Sequence, residues 1–176
     1  MELRAALPLI AREETPARDA ASETVELFDE LRGPILRYLH CLGLSAGDAE
    51  EAMQETFLAL FEHLRAGRPR TSLRGWLFRV AHNLGMKQLR RSTTEPLRDD
   101  VAASPALDPE QRAEQNQRYR QAAAIVRALS RQDRACLQLR SEGLRYREIA
   151  EVLGISLGSV AQSLERALER LEAVRR

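Results

Sequence analysis

Apolar residues recur along most of this chain at three- and four-residue steps, the period of a helix with one buried face. Nowhere do they alternate with the two-residue period of a strand for more than a few positions. From Glu23, the series Leu27, Phe28, Leu31, Ile35, Tyr38, Leu39 and Leu42 predicts a helix, with Gly33-Pro34 demanding a kink or a division into two shorter helices. A turn follows at 43–47. Ser45 and Asp48 then have the spacing of a capping box and open the clearest amphipathic stretch, striped by Ala49, Ala52, Met53, Thr56, Phe57, Leu60, Phe61 and Leu64. Its other face carries Asp48, Glu51, Gln54, Glu55 and Glu62. Gly67 and Pro69 mark a loop over 65–70. Thr71 or Ser72 caps a third helix whose buried side is expected to be Leu73, Trp76, Leu77, Val80, Ala81, Leu84 and Leu89, ending at Arg90-Arg91.

Residues 92–110 lose the stripe and carry three prolines and mostly acidic charge, the composition of an interdomain linker. Asp108-Pro109 supplies an N-cap and first-turn proline for a helix striped by Tyr119, Ala122, Ala123, Val126 and Leu129. Ser130 and Asp133 form a second capping box, before a helix through Cys136, Leu137 and Leu139 that ends at Gly143. Tyr146–Leu153 reads as a short helix, Gly154-Ile155 as a turn, and Ser156 as the cap of a helix reaching about Val174. Ala150, Gly154 and Val160 stand at relative positions 1, 5 and 11, the spacing of a helix-turn-helix. Ile149, Leu153, Ile155, Leu164 and Leu168 are expected to complete its core. The expected fold is all-α: two small helical domains joined by a flexible linker, the C-terminal one containing the helix-turn-helix. Residues 1–22 read as a loose leader, 23–91 as the first domain, 92–110 as the linker and 111–176 as the second domain.

Composition narrows the function. The 176 residues are 44% hydrophobic, and no apolar run approaches the roughly 20 residues of a membrane span, so no membrane insertion is expected. The stretch 7–11 is broken by Pro8 and is no signal-peptide core. Cys41 and Cys136 have no metal or redox spacing, consistent with reduced thiols in a cytoplasmic protein. His40, His63 and His82 stand apart from one another. With no nucleophile–base set, phosphate loop or ligand cluster, neither catalysis, metal nor cofactor is expected. The net charge of +1 conceals segregation. Residues 1–64 sum to -8, 65–91 hold eight basic residues and no acidic one, 92–110 sum to -4, and 111–176 sum to +5. The all-basic stretch is the footprint expected for a polyanion.

Three segments, in order, carry a resemblance. SAGDAEEAMQETF (45–57), LRGWLFRVAHNLGMKQLRR (73–91) and LRYREIAEVLGISLGSVAQSLERALERL (144–171) resemble the extracytoplasmic-function group of bacterial sigma factors. The resemblance implies a non-catalytic subunit that binds bacterial RNA polymerase core and directs promoter-specific initiation. By position it implies polymerase contact through Asp48, Glu51, Gln54 and Glu55, with Met53 and Phe57 in the core. It implies -10 contacts or their framework at Arg68, Arg70, Arg74, Arg79, His82, Asn83, Lys87, Arg90 and Arg91, with the loop 65–72 catching a flipped base. Trp76 sits at a core position of its stripe, and Asn83 has the chemistry to pair with adenine. The -35 side is assigned to Arg145, Arg147, Ser156, Ser159, Gln162, Ser163 and Arg166. Where the family commonly reads V-K-S-R-L-H-R-A-R, this chain has V-A-Q-S-L-E-R-A-L from Val160, with fewer cations for phosphate. Partners implied are the polymerase core, promoter DNA and a cognate anti-sigma factor. The competing reading is a stand-alone helix-turn-helix regulator of transcription, which has no need of the acidic face at 48–55.

Overall fold

A computed structural model of the chain describes residues 19–92 and 124–173, Arg127 apart. Of the linker expected over 92–110 only Ser92 is described, as the last residue of α3; the rest of it, the leader before Asp19 and most of the helix expected after Pro109 lie outside these residues. Six helices of eight residues or more run through the described parts: α1 (Ala20–Leu42), α2 (Ala46–Arg65), α3 (Leu73–Ser92), α4 (Arg131–Ser141), α5 (Tyr146–Leu153) and α6 (Leu157–Ala173). No strand occurs among the described residues, and no helix there is long and apolar enough to cross a membrane.

Local chemistry sets the boundaries. The Asp19 side chain accepts from the Ala21 amide, starting α1 ahead of the expected Glu23. The helix then runs unbroken through Pro34, so no division occurs. Gly43, at φ 101°, takes the left-handed conformation that closes α1, with its N–H on the His40 carbonyl and that of Leu44 on Leu39. Gly143-Leu144 repeats the device after α4. Ser45 and Ser130 accept from the amides of Asp48 and Asp133, as their spacing predicts.

The first unit packs α1, α2 and α3 together. Ala49 and Ala52 let α2 approach closely, Phe28 meets Phe57 edge-on at 4.9 Å, and Tyr38 meets Phe78 at 5.7 Å. Phe78 is fully buried although one position off the expected stripe, because α3 packs on α1 and α2 and also on α5. In the second unit α4 and α5 pack on α6 around Ile149, Val160 and Leu164. Leu168, expected in that core, is half exposed. The units dock through α1 on α4 and α3 on α5, so their buried side chains join in a single cluster. Cys41 lies at this junction with its thiol toward the Arg134 carbonyl, and burial raises its pKa to about 11.

Candidate nucleic-acid interface

On α2, the expected acidic face is exposed at Glu51, Gln54 and Glu55 and partly at Asp48. Met53 and Phe57 turn inward, as their stripe requires. Asp48 is held at the cap, receiving the Ser45 hydroxyl at 2.7 Å. Glu51 receives Gln88 of α3 at 3.0 Å.

The basic stretch divides into two sets. Arg79, Asn83, Lys87 and Arg91 recur every four residues of α3, all exposed, with Arg90 exposed beside them. They form one cationic face. Arg68 is exposed in the loop, whose shape is held by the His63 ring, which donates through Nε2 to the Pro69 carbonyl at 2.9 Å and lies 4.6 Å from Trp76. Arg70 and Arg74 are instead engaged by carboxylates of α1: Arg70 with buried Glu23 at 2.8 Å, and Arg74 with Glu30 at 2.8 Å.

His82 does not belong to the exposed face. Its Nδ1 lies 2.8 Å from the buried Tyr38 hydroxyl, and burial lowers its pKa, so it is neutral framework between α1 and α3 at neutral pH. Trp76 is half-buried against the core, as expected. The cap expected at Thr71 or Ser72 is absent in that form. Ser72 stands at φ 56°, unusual outside glycine, and its hydroxyl donates to Glu148 of α5 at 2.8 Å.

In the second unit, the helix-turn-helix signature holds in detail. Gly154 takes φ 65°, Ile155 donates to the Ala150 carbonyl, and Val160 is fully buried. Ser156 accepts from the Ser159 amide at 3.1 Å and caps α6. Arg145 and Arg147 are exposed and line a cleft of about 590 Å³ with Tyr146, Glu148 and Leu157. Gln162 is exposed on α6, and Ser159 is half-exposed.

Two assignments change. Ser163 is fully buried, accepting from Gln132 at 3.0 Å and Arg166 at 3.2 Å, so it packs inside the unit rather than reading DNA. Its place between Val160 and Ala167 on the buried stripe was the available signal. The Arg166 fork grips Asp133 at 2.6 and 3.3 Å and ties α6 to α4. Burial by itself would raise the Asp133 carboxyl, but hydrogen bonds from Arg166, Ser130 and Ser163 outweigh it and hold the group below the usual carboxylate range. Arg37 and Glu142, unassigned from the sequence, meet across 105 positions at the junction of the units, a pairing with no local sequence signal.

Family models match most of the described chain: Sigma-70 region 2 over residues 27–95 and Sigma-70, region 4 over residues 119–171. The chain is 31% identical over 153 residues to the RNA polymerase sigma factor YlaC of Bacillus subtilis, covering 84% of this chain and 87% of the relative. It is 32% identical over 152 residues to the ECF RNA polymerase sigma factor SigE of Mycolicibacterium smegmatis, and there spans 59% of the relative's length. Its fold is similar to that of the sigma factor RpoE from Bartonella quintana, solved with the anti-sigma factor NepR, with a TM-score of 0.66 and 22% identity over 88% of this chain and 95% of that one.

Proposed function

This chain is a member of the extracytoplasmic-function (ECF) group of RNA polymerase sigma factors, and we propose that it binds core polymerase through the exposed acidic face of α2 and directs initiation at its own promoters. The single observation that carries this reading is the separation of two faces on one helical hairpin. Glu51, Gln54 and Glu55 offer a partner helix carboxylates and an amide, while Arg79, Asn83, Lys87 and Arg91 present cations and one amide on α3. A stand-alone regulator working through its helix-turn-helix alone has no use for the first face.

In this reading the chain supplies specificity and no chemistry. The α3 face and Arg68 hold the -10 strand, with Asn83 the group suited to a base edge. Arg145, Arg147, Ser156, Ser159 and Gln162 serve the -35 side. Having few cations on α6, that side contributes less to affinity than the first unit does. The protein acts in the cytoplasm, where polymerase is. The B. quintana relative was solved with an anti-sigma factor, and a partner of that class is proposed here too. Co-purification with core polymerase, followed by transcription across genomic fragments with mapped start sites, tests the reading. Duplex binding without core binding would overturn it in favour of the regulator.

A further inference from the structure

Five large apolar side chains stand exposed among the described residues, and two of them, Tyr146 and Leu157, line the same cleft together with Arg145 and Arg147. Leu157 is the first residue of α6 and is 46% exposed. Ala161 follows it one helical turn on and is exposed too. Gly158 and Gln162 repeat the step beside them, and Glu165 extends it, all of them exposed. The outward face of the second helix of the helix-turn-helix therefore begins with an isobutyl group and a methyl, where a reader of guanine would carry an arginine or a lysine. Arg166, the first cation of α6, has its fork turned to Asp133. The Ser156 and Ser159 hydroxyls lie 2.9 Å apart, and the former also accepts the Ser159 amide, so both are engaged at the cap.

In a helix-turn-helix the residues that meet base edges come from the N-terminal part of the second helix. A leucine there can pair with no donor or acceptor in the major groove. Set against guanine, adenine or cytosine, it strands a polar edge that water had satisfied, which costs affinity. Only thymine offers the groove an apolar group, its C5 methyl. We infer that α6 reads thymine methyl groups through Leu157 and Ala161, with Gln162 suited to N6 and N7 of a nearby adenine, so that the -35 side selects A·T pairs by apolar contact instead of guanine by an arginine fork. This rests on the reading that the helix-turn-helix serves the -35 side. Arg145 and Arg147, exposed at the start of α5, hold flanking phosphates and set the register, while the Leu157 end of α6 supplies the choice of base. Glu165 agrees with this, because a carboxylate accepts from the amino group of adenine or cytosine and is repelled by the acceptor edge of guanine.

The test uses holoenzyme reconstituted from core polymerase and the full chain, on promoter fragments with mapped start sites. Each thymine of the upstream element is replaced in turn by deoxyuridine, which deletes the methyl and keeps every hydrogen bond of the pair. Retention of labelled fragment on filters reads affinity. One or two thymines are expected to matter, each methyl being worth roughly three- to fivefold. Leu157→Ala shortens an exposed side chain and is expected to leave the melting midpoint unchanged. In that variant, uracil at one of those positions is expected to cost nothing further. Ala161→Lys is expected to raise affinity for every fragment, steepen the salt slope by about 0.9 and erase the other methyl effect. Methyl effects that persist unchanged in both variants overturn the inference, as does binding that ignores uracil throughout the element. A Leu157→Ala chain that loses core polymerase while uracil is silent assigns the leucine to a protein contact and overturns it as well. Initiation at the mapped sites without a methyl effect leaves the sigma reading standing and removes this one. Should core not bind, that reading falls, and the same scan on duplexes retained by the chain alone decides this one by the same criteria; retention of none overturns it.

Discussion

Tyr38→Phe deletes one oxygen from the seam between α1 and α3. The ring is fully buried and edge-on to Phe78 at 5.7 Å, and the hydroxyl lies 2.8 Å from His82 Nδ1. Burial pushes the phenol far above its ordinary pKa, so it stays protonated and donates whenever Nδ1 carries a lone pair. Burial pushes His82 the other way, which keeps that lone pair available at neutral pH. Phenylalanine keeps the ring and its packing, so no cavity opens. The cost is the lost hydrogen bond and a stranded, half-buried Nδ1, about 1–2 kcal/mol. At about 2–4 °C per kcal/mol for a chain of this size, the midpoint is expected to fall by about 2–8 °C. Far-UV circular dichroism at pH about 8, where imidazole is neutral in folded and unfolded chains alike, reads the effect. A double-mutant cycle with His82→Leu isolates the pair. The second substitution is expected to cost less once the first is made, and additivity within about 0.3 kcal/mol would refute the reasoning, as would an unchanged midpoint for Tyr38→Phe. Because the folded pKa of His82 is depressed, the unfolded chain takes up more protons as pH falls through about 6.5. The native chain is expected to lose stability there, and the His82→Leu chain to lose less.

Other consequences are as direct. Gln54→Ala with Glu55→Ala touches two exposed side chains, so the melting midpoint should move by no more than the equivalent of about 0.5 kcal/mol while core-polymerase pull-down falls. Unfolding of that variant would mean the two are packed rather than presented. Val160→Ala removes two methyl groups from a fully buried position where α6 crosses α5, and is expected to cost about 2 kcal/mol. Loss of duplex binding with core binding retained would accompany it, checked by melting and by gel shift. At the acid end, Asp133 is held low against its burial by Arg166, Ser130 and Ser163, and Glu148 chiefly by the Arg145 amide. Both contribute stability that is fully present above their unfolded values, about 4, and is lost as pH falls through the lower folded ones. Asp133→Asn is therefore expected to shrink the loss on acidification below pH about 4, and an acid limb of unchanged slope counts against the assignment.

Among the described residues, the helical period and the end signals of the sequence placed the helices and most of their inward faces, Leu168 and Phe78 apart. Ser45 and Ser130 cap as their spacing requires, Gly154 and Val160 stand where the helix-turn-helix needs them, and the exposure of Glu51, Gln54 and Glu55 followed from Met53 and Phe57 facing inward. These features depend on residues within a turn or two of one another, and local hydrogen bonding with a 3.6-residue period suffices for them. What only the tertiary structure decided is which polar groups meet once two inward faces have been buried. Phe78 is buried because α3 is covered on more than one side. Ser163 lies on the inward stripe of α6, but its partner, Gln132 of α4, was set by the packing of the two helices. Arg70 and Arg74 spend their donors on Glu23, Glu30 and Glu142, and Ser72 gives its hydroxyl to Glu148 instead of its own helix. Partners 31 to 105 positions apart leave no mark on local periodicity. The docking of one unit on the other selects them, and many surfaces of the same charge pattern would satisfy the sequence equally well.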